Sequence, residues 1–127
     1  MNTSPADTTD YDALLRANAA RVFSETDATL RLRAIAELWT GDPILHEKEG
    51  TVIGAEAISA SVGALLSRLP PATIFAPAGV AQGHHGVAKL LWRAETGGVP
   101  GPVTGTDIAM IRDGRIAKLY VFLDPFA

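Results

Sequence analysis

The chain contains no cysteine, so disulfide bridges, thiolate nucleophiles and cysteine-ligated zinc or iron–sulfur centres are excluded. Aromatic residues are scarce: two Trp, two Tyr and four Phe among 127 residues, beside 21 alanines. A core with so few rings either packs its elements closely or leaves a hollow that something other than its own side chains fills. Cations are not in excess either. Eleven Lys and Arg against 14 Asp and Glu give a net charge of −3 and a pI near 5.5, without the basic footprint that nucleic acid or an anionic membrane requires. Neither partner is expected. No stretch approaches the roughly 18–20 apolar residues of a membrane span, and Met1 to Asp7 has neither the basic start nor the apolar run of a targeting segment. A cytoplasmic protein is the expectation. What is present suffices for a core: 47% hydrophobic residues, a mean hydropathy of +0.17, and the length of one domain.

Residues 1–9 are small and polar and read as a flexible tail, leaving 10–127 as a single domain. Thr8-Thr9-Asp10 can cap a helix over about 10–24, in which Leu14, Leu15, Asn18 and Val22 trace one stripe. A break with capping chemistry at Ser24 to Asp27 leads to a second helix, about 28–40, which Gly41-Asp42-Pro43 ends. Ile44 to Lys48 and Thr51 to Ile53 read as a small hairpin. From Ala55 a third helix carries Ile58, Val62, Leu65, Leu66 and Leu69 on one face until Pro70-Pro71. Beyond the prolines the period drops to two. Strands are predicted over Thr73–Ala76, His85–Arg93, Val103–Ile111 and Ile116–Leu123, with a loop at 97–102 and a tight two-residue turn at Asp113-Gly114. Helices ahead of an antiparallel meander make an α+β domain.

Alternation puts Ala88, Leu90 and Trp92 on the uncharged side of their strand, which should face the helices. The next strand offers Gly105, Asp107, Ala109 on one side and Thr106, Ile108, Met110 on the other, and periodicity does not say which is inward. Asp107 nonetheless stands in the middle of a strand, where aspartate is disfavoured. Glu47 sits in the short extended piece beside His46. Each acid has an ordinary reading, a solvated strand carboxylate, and a chemical one: two carboxyls in one apolar cavity have their pKa values pushed apart and become an acid and a base. The histidines lack metal-ligand spacing. His46 has no partner four residues on, and His84 and His85, if both on a strand, point to opposite faces. No metal and no cofactor is expected. His84 remains a candidate pocket donor, and Tyr120 a weaker one. There is no Gly-x-Ser-x-Gly elbow, and no glycine-rich phosphate cradle opens a helix.

Three strings carry a resemblance: Ala36-Glu37-Leu38-Trp39-Thr40-Gly41-Asp42 leading into Ile44-Leu45-His46-Glu47; Gly54-Ala55-Glu56-Ala57-Ile58; and Thr106 to Ile111 followed by Asp113-Gly114-Arg115-Ile116. With the order of elements, the chain from about residue 10 resembles the SnoaL-like polyketide cyclases and ketosteroid isomerase-like proteins of the nuclear transport factor 2-like superfamily. The resemblance implies a cone in which a curved antiparallel sheet wraps three helices around an apolar pocket, usually as a homodimer through the sheet. Glu47 falls where the isomerases place a proton-shuttling aspartate, and Asp107 where they place a protonated acid against the developing enolate oxygen. Their tyrosine donor on the first helix falls, by ungapped counting, at Phe23, which has no hydroxyl. The arginine of limonene-type epoxide hydrolases has no evident counterpart, since Arg93 falls on the outer side of its strand. The expected function is cofactor-independent acid/base catalysis on a small apolar carbonyl compound, with Glu47 and Asp107 catalytic and Trp39, Phe23, His84, Ala88, Leu90, Trp92 and Ala109 around the substrate. A non-catalytic small-molecule binder or dimeric scaffold on the same fold is the alternative, and an epoxide hydrolase or hydratase a third.

Overall fold

Asp10 opens the first helix in the computed structural model, which describes residues 8–125: its carboxylate accepts from the Ala13 N–H at 2.9 Å. Of the expected polar tail, residues 1–7 lie outside the described residues. Helix α1 runs Tyr11–Asn18 and passes into a π-helical segment, Ala19–Phe23, where one continuous helix is predicted. The Ser24 hydroxyl donates to the Ala19 carbonyl at 2.7 Å there, and an apolar stripe cannot tell this wider winding from an ordinary turn. Asp27 caps α2, Ala28–Leu38, by accepting from Thr29 and Leu30 N–H at 2.9 and 3.1 Å. Helix α3 covers Ala55–Ser67 and turns Ile58, Ser59 and Val62 inward. None of the described helices is long and apolar enough to cross a membrane.

Seven strands form one sheet: β1 Trp39–Glu47, β2 Gly50–Ile53, β3 Thr73–Pro77, β4 Gln82–His84, β5 Val87–Thr96, β6 Val99–Arg112 and β7 Arg115–Leu123. Their order is β2-β1-β7-β6-β5-β3, with β4 also pairing with β5. The sheet is mixed, not antiparallel throughout, because β1 lies parallel to β7. Turn chemistry announces hairpins between sequence neighbours, whereas the β1–β7 contact closes across most of the chain and leaves no local signal. Register shifts in β1, β5 and β6 bend the strands around the helices.

The predicted turn at Asp113-Gly114 is present with φ of 54° and 76°, and the same left-handed pair recurs at His85-Gly86 and Gly97-Gly98. Two corrections follow. The strand predicted to begin at His85 begins at Val87, with β4 as its hairpin partner, and the loop predicted at 97–102 is a two-residue turn into β6. Pro100 and Pro102 are tolerated in that strand because β6 meets the β7 side only from Thr104 onward, whose carbonyl accepts from the Asp124 N–H, so one edge of 99–103 is unpaired.

The inward face of the sheet carries Leu45, Leu119, Ala109 and Ala88 in one row, all buried. Ala88, Leu90 and Trp92 face the helices as their alternation predicts, and the inward set of β6 is Gly105, Asp107 and Ala109. Leu15, Val22, Ile35, Ile58 and Val62 pack onto this face from the helices.

Candidate functional site

Asp107 occupies the middle of β6, between Leu90 of β5 and Val121 of β7, and is only 6% exposed. Its neighbour along the inward face is Gly105, where a Cβ would run into the Trp92 ring and the Phe122 carbonyl oxygen. A glycine there lets the Trp92 indole lie against β6, which brings its Nε1–H to Asp107 Oδ1 at 2.9 Å. Phe75 of β3 meets the same indole edge-on, with centroids 5.2 Å apart and planes at 82°. Among the described residues Oδ2 has no hydrogen-bond partner and no cation pairs with the carboxyl. Burial pushes the Asp107 pKa up from 3.8 to about 7, and the single hydrogen bond from Trp92 opposes this more weakly. Near neutral pH the group therefore exists substantially as a neutral acid able to donate through oxygen.

Glu47 ends β1 two residues beyond Leu45 and so shares the buried face of the strand. The β1–β7 pairing runs to His46 beside Tyr120, with Glu47 one residue beyond it, and Val121, the residue after Tyr120, is paired with Asp107. The two acids thus lie toward the same end of the inward face, on strands separated by β7. Glu47 is half-buried. Its pKa is raised, first by desolvation and then by the neighbouring charge of Glu49, while Arg68 draws it back down. A weakly acidic, water-excluded carboxyl and a more accessible carboxylate on one concave face are the ingredients of paired acid/base chemistry.

The remaining candidates divide. Ala88, Leu90 and Ala109 are buried around Asp107. Trp39 is buried too, its Nε1–H donating to Asn18 Oδ1 at 2.8 Å, and Phe23 is partly buried against the core. His84 is not brought to the site. On β4 it is Gly83 that faces inward beneath the Tyr11 ring, so His84 is exposed on the outer side. His84 and His85 also do not point apart as a strand would require, because His85 sits in the turn with φ 51°; their Nδ1 atoms lie 2.9 Å apart. Tyr120 faces outward, stacked on His46 at 4.6 Å. Among the described residues no group of three or more His, Asp or Glu could hold a metal ion. The sequence reading missed Asn18, Gly105 and Phe75. Only Asn18 left a signal, a lone amide in an otherwise apolar helical stripe.

Two surface depressions lie elsewhere. One of about 430 Å³ is lined by Thr40, Gly41, Arg112, Asp113 and Arg115, and one of about 220 Å³ by Ala20, Ser24, Ile74, Phe75, Ala76 and Pro77. Neither includes Glu47 or Asp107, but Phe75 links the second to the Trp92 indole.

Comparison with known proteins gives a consistent picture. Residues 16–119 match the model of the SnoaL-like domain. No curated protein sequence matches the chain. Among solved structures, a candidate isomerase of the SnoaL-like family from Agrobacterium tumefaciens superposes with a TM-score of 0.81 at 22% identity, covering 91% of this chain and 97% of its own. A candidate polyketide cyclase from Sinorhizobium meliloti gives 0.65 at 19% identity, covering 86% and 93%. A Catenulispora acidiphila protein with a ketosteroid isomerase-like fold, solved with trimethylamine, gives 0.68 at 16% identity, covering 91% and 86%. At these identities the structural likeness speaks for the fold.

Proposed function

The chain belongs to the SnoaL-like domain family, and from that premise we propose that it is a cofactor-independent acid/base catalyst, isomerase- or cyclase-like, acting on a small apolar molecule that carries a carbonyl. The observation that carries this reading is Asp107: a carboxyl buried inside a sheet, unpaired with any described cation, with one oxygen engaged by Trp92 and the other free. A buried acid of this kind is costly to keep as a mere structural element. Its free oxygen, when protonated, donates to a carbonyl oxygen and stabilises the negative charge that develops there. Glu47 keeps contact with water and has Arg68 nearby, so it holds its charge more readily and takes a proton from the carbon next to the carbonyl. The proton then returns from Glu47 to a different carbon, which shifts the double bond, or the enolate carbon attacks a second carbonyl in the same molecule, which closes a ring as that carbonyl's π bond breaks and its oxygen takes the proton from Glu47. Leu90, Val121 and the Trp92 and Phe75 rings supply an apolar setting for such a substrate.

A second copy of the chain is part of the same reading. Val87, Leu91, Met110 and Phe122 are exposed on the outer face of the sheet, with Val87 paired to Met110 and Thr106 between Leu91 and Phe122. That outer face, apolar but interrupted by Lys89, Thr106 and Lys118, suits a homodimer through the sheet. The half-exposed position of Glu47 also favours, as the second reading, a binder that holds a carbonyl ligand on Asp107 without turning it over. Hydration chemistry is less well supported, since His84 faces away from the acids.

The test is deuterium exchange next to the carbonyl of cyclic enones, followed by proton NMR in heavy water. Wild type accelerates the exchange, and Glu47→Gln slows it by about 10²–10⁴, the range of general acid–base assistance. Binding of an enone without acceleration selects the binder, and equal rates with Glu47→Gln overturn the catalytic reading.

A further inference from the structure

His84 and His85 are adjacent and make up two of the three histidines in the chain. Strand alternation would send them to opposite faces, which is the ground for expecting no ion between them. The turn removes that ground. His84 ends β4 opposite Val87, while His85 adopts φ 51° and Gly86 φ 79°, the left-handed pair of a tight hairpin. That backbone brings the His85 ring round to the side of His84, so the two Nδ1 atoms lie 2.9 Å apart, with ring planes at 87°.

Neighbours hold this turn from two sides. Gly86 N–H donates to the Tyr11 hydroxyl of α1 at 3.0 Å, and the Gly86 carbonyl accepts from the Ile111 N–H of β6 at 2.7 Å. A Cβ at Gly86 would come within 3.2 Å of the Ile111 carbonyl oxygen, so the turn sits tightly against β6. Both histidines are exposed to water on a backbone that is already fixed, and little ordering is left for a ligand to impose.

A neutral imidazole carries one proton, on Nδ1 or on Nε2. When one ring holds its proton on Nδ1, the pair makes a hydrogen bond. When both protons are on Nε2, two lone pairs face each other at 2.9 Å, and a cation bound to both is what stabilises that arrangement. The spacing also selects the ion. Metal–imidazole bonds of about 2.0–2.1 Å put their nitrogens about 3.3 Å apart at a tetrahedral angle, and about 2.9 Å apart at a right angle. A right angle between neighbouring nitrogens belongs to the tetragonal sites of copper(II) and nickel(II), and copper(II) leads the affinity order of divalent first-row ions.

We propose that His84 and His85 form a chelating site for a tetragonal divalent ion, copper(II) foremost, with the two Nδ1 atoms as adjacent ligands and water in the remaining positions. Among the described residues no third His, Asp or Glu completes a cluster there, so the ion keeps positions at which its waters exchange for an outside ligand. The pair lies on the outer side of β4 whereas Asp107 faces inward, so the site stands independently of the acid/base reading.

The experiment titrates copper(II) chloride into the untagged full chain and follows electron paramagnetic resonance with spin-echo modulation. One equivalent is expected to give an axial spectrum, with modulation from the far nitrogens of two imidazoles. His84→Ala and His85→Asn should each weaken binding about tenfold or more, since even the hydrogen-bond partners of metal ligands are worth roughly 10–100-fold in affinity. Asparagine suits the left-handed turn position, so His85→Asn keeps the hairpin while removing a ligand. His46→Ala, on β1, should leave affinity and spectrum as in wild type. A spectrum with one imidazole or none overturns the proposal and leaves the contact as a hydrogen bond only. Wild-type affinity in His85→Asn, or loss of binding in His46→Ala, overturns it as well.

Discussion

Replacing Asp107 by asparagine keeps the size of the side chain and an oxygen for the Trp92 N–H to meet, while removing the ionisable proton. The consequence is a pH-dependent change in stability whose sign follows from linkage. In the folded protein burial holds the Asp107 pKa near about 7, against an ordinary 3.8 in the unfolded chain. Between those values the folded state binds the extra proton, so wild-type stability declines as pH rises from about 4 and stops declining once pH passes about 7. A shift of that size is worth about 4 kcal/mol, at roughly 1.4 kcal/mol per unit. The amide of the variant does not ionise and carries no such penalty. Urea denaturation of both proteins at half-unit steps from pH 4 to pH 8.5 should show the stability of Asp107→Asn minus that of wild type growing by about 4 kcal/mol across the range and levelling above pH 7.5. The contribution of Glu47 is common to both proteins and cancels. A difference that stays flat with pH refutes the reasoning, because it means the carboxyl is as well solvated when folded as when unfolded.

Three further outcomes follow from the same geometry. Trp92→Phe removes the N–H that favours the charged form of Asp107, so the carboxyl should titrate at still higher pH by carbon-13 NMR; an unchanged or lower midpoint contradicts the role assigned to the indole. Gly105→Ala drives a methyl into the Trp92 ring and the Phe122 carbonyl, and should cost about 1–3 kcal/mol in urea denaturation. An unchanged midpoint would mean that the indole does not lie against β6. Phe122→Glu puts a charge in the outer apolar surface and should convert a dimer to a monomer in sedimentation equilibrium with an unaltered circular dichroism spectrum. A monomeric wild type, or a variant that remains dimeric, removes the sheet-face partner from the account.

Much of the fold is legible in local pattern. The α3 stripe, the Ala88-Leu90-Trp92 alternation and the Asp113-Gly114 turn each depend on interactions within a few residues, and each is where the pattern puts it. The parallel β1–β7 pairing and strand β4 are not legible, because the first joins strands at opposite ends of the chain and the second is only three residues long. The site divides the same way. Asp107 stands out from the sequence as an acid where strands avoid acids, but its inward orientation is decided by pairing on both sides, with Leu90 and Val121. Its partner Trp92 is fifteen residues away, and the contact depends on the missing side chain at Gly105. His84 misleads because a turn with positive φ follows it, which single-residue alternation does not foresee.

The central claim is that one buried carboxyl serves as a neutral acid beside an accessible carboxylate on the same face of the sheet. Carbon-13 NMR titration of the two side-chain carboxyls in the wild-type protein tests it most directly. The account predicts an Asp107 midpoint near about 7 and a Glu47 midpoint above its ordinary 4.5. An Asp107 midpoint near 3.8 together with a Glu47 midpoint at 4.5 would contradict it.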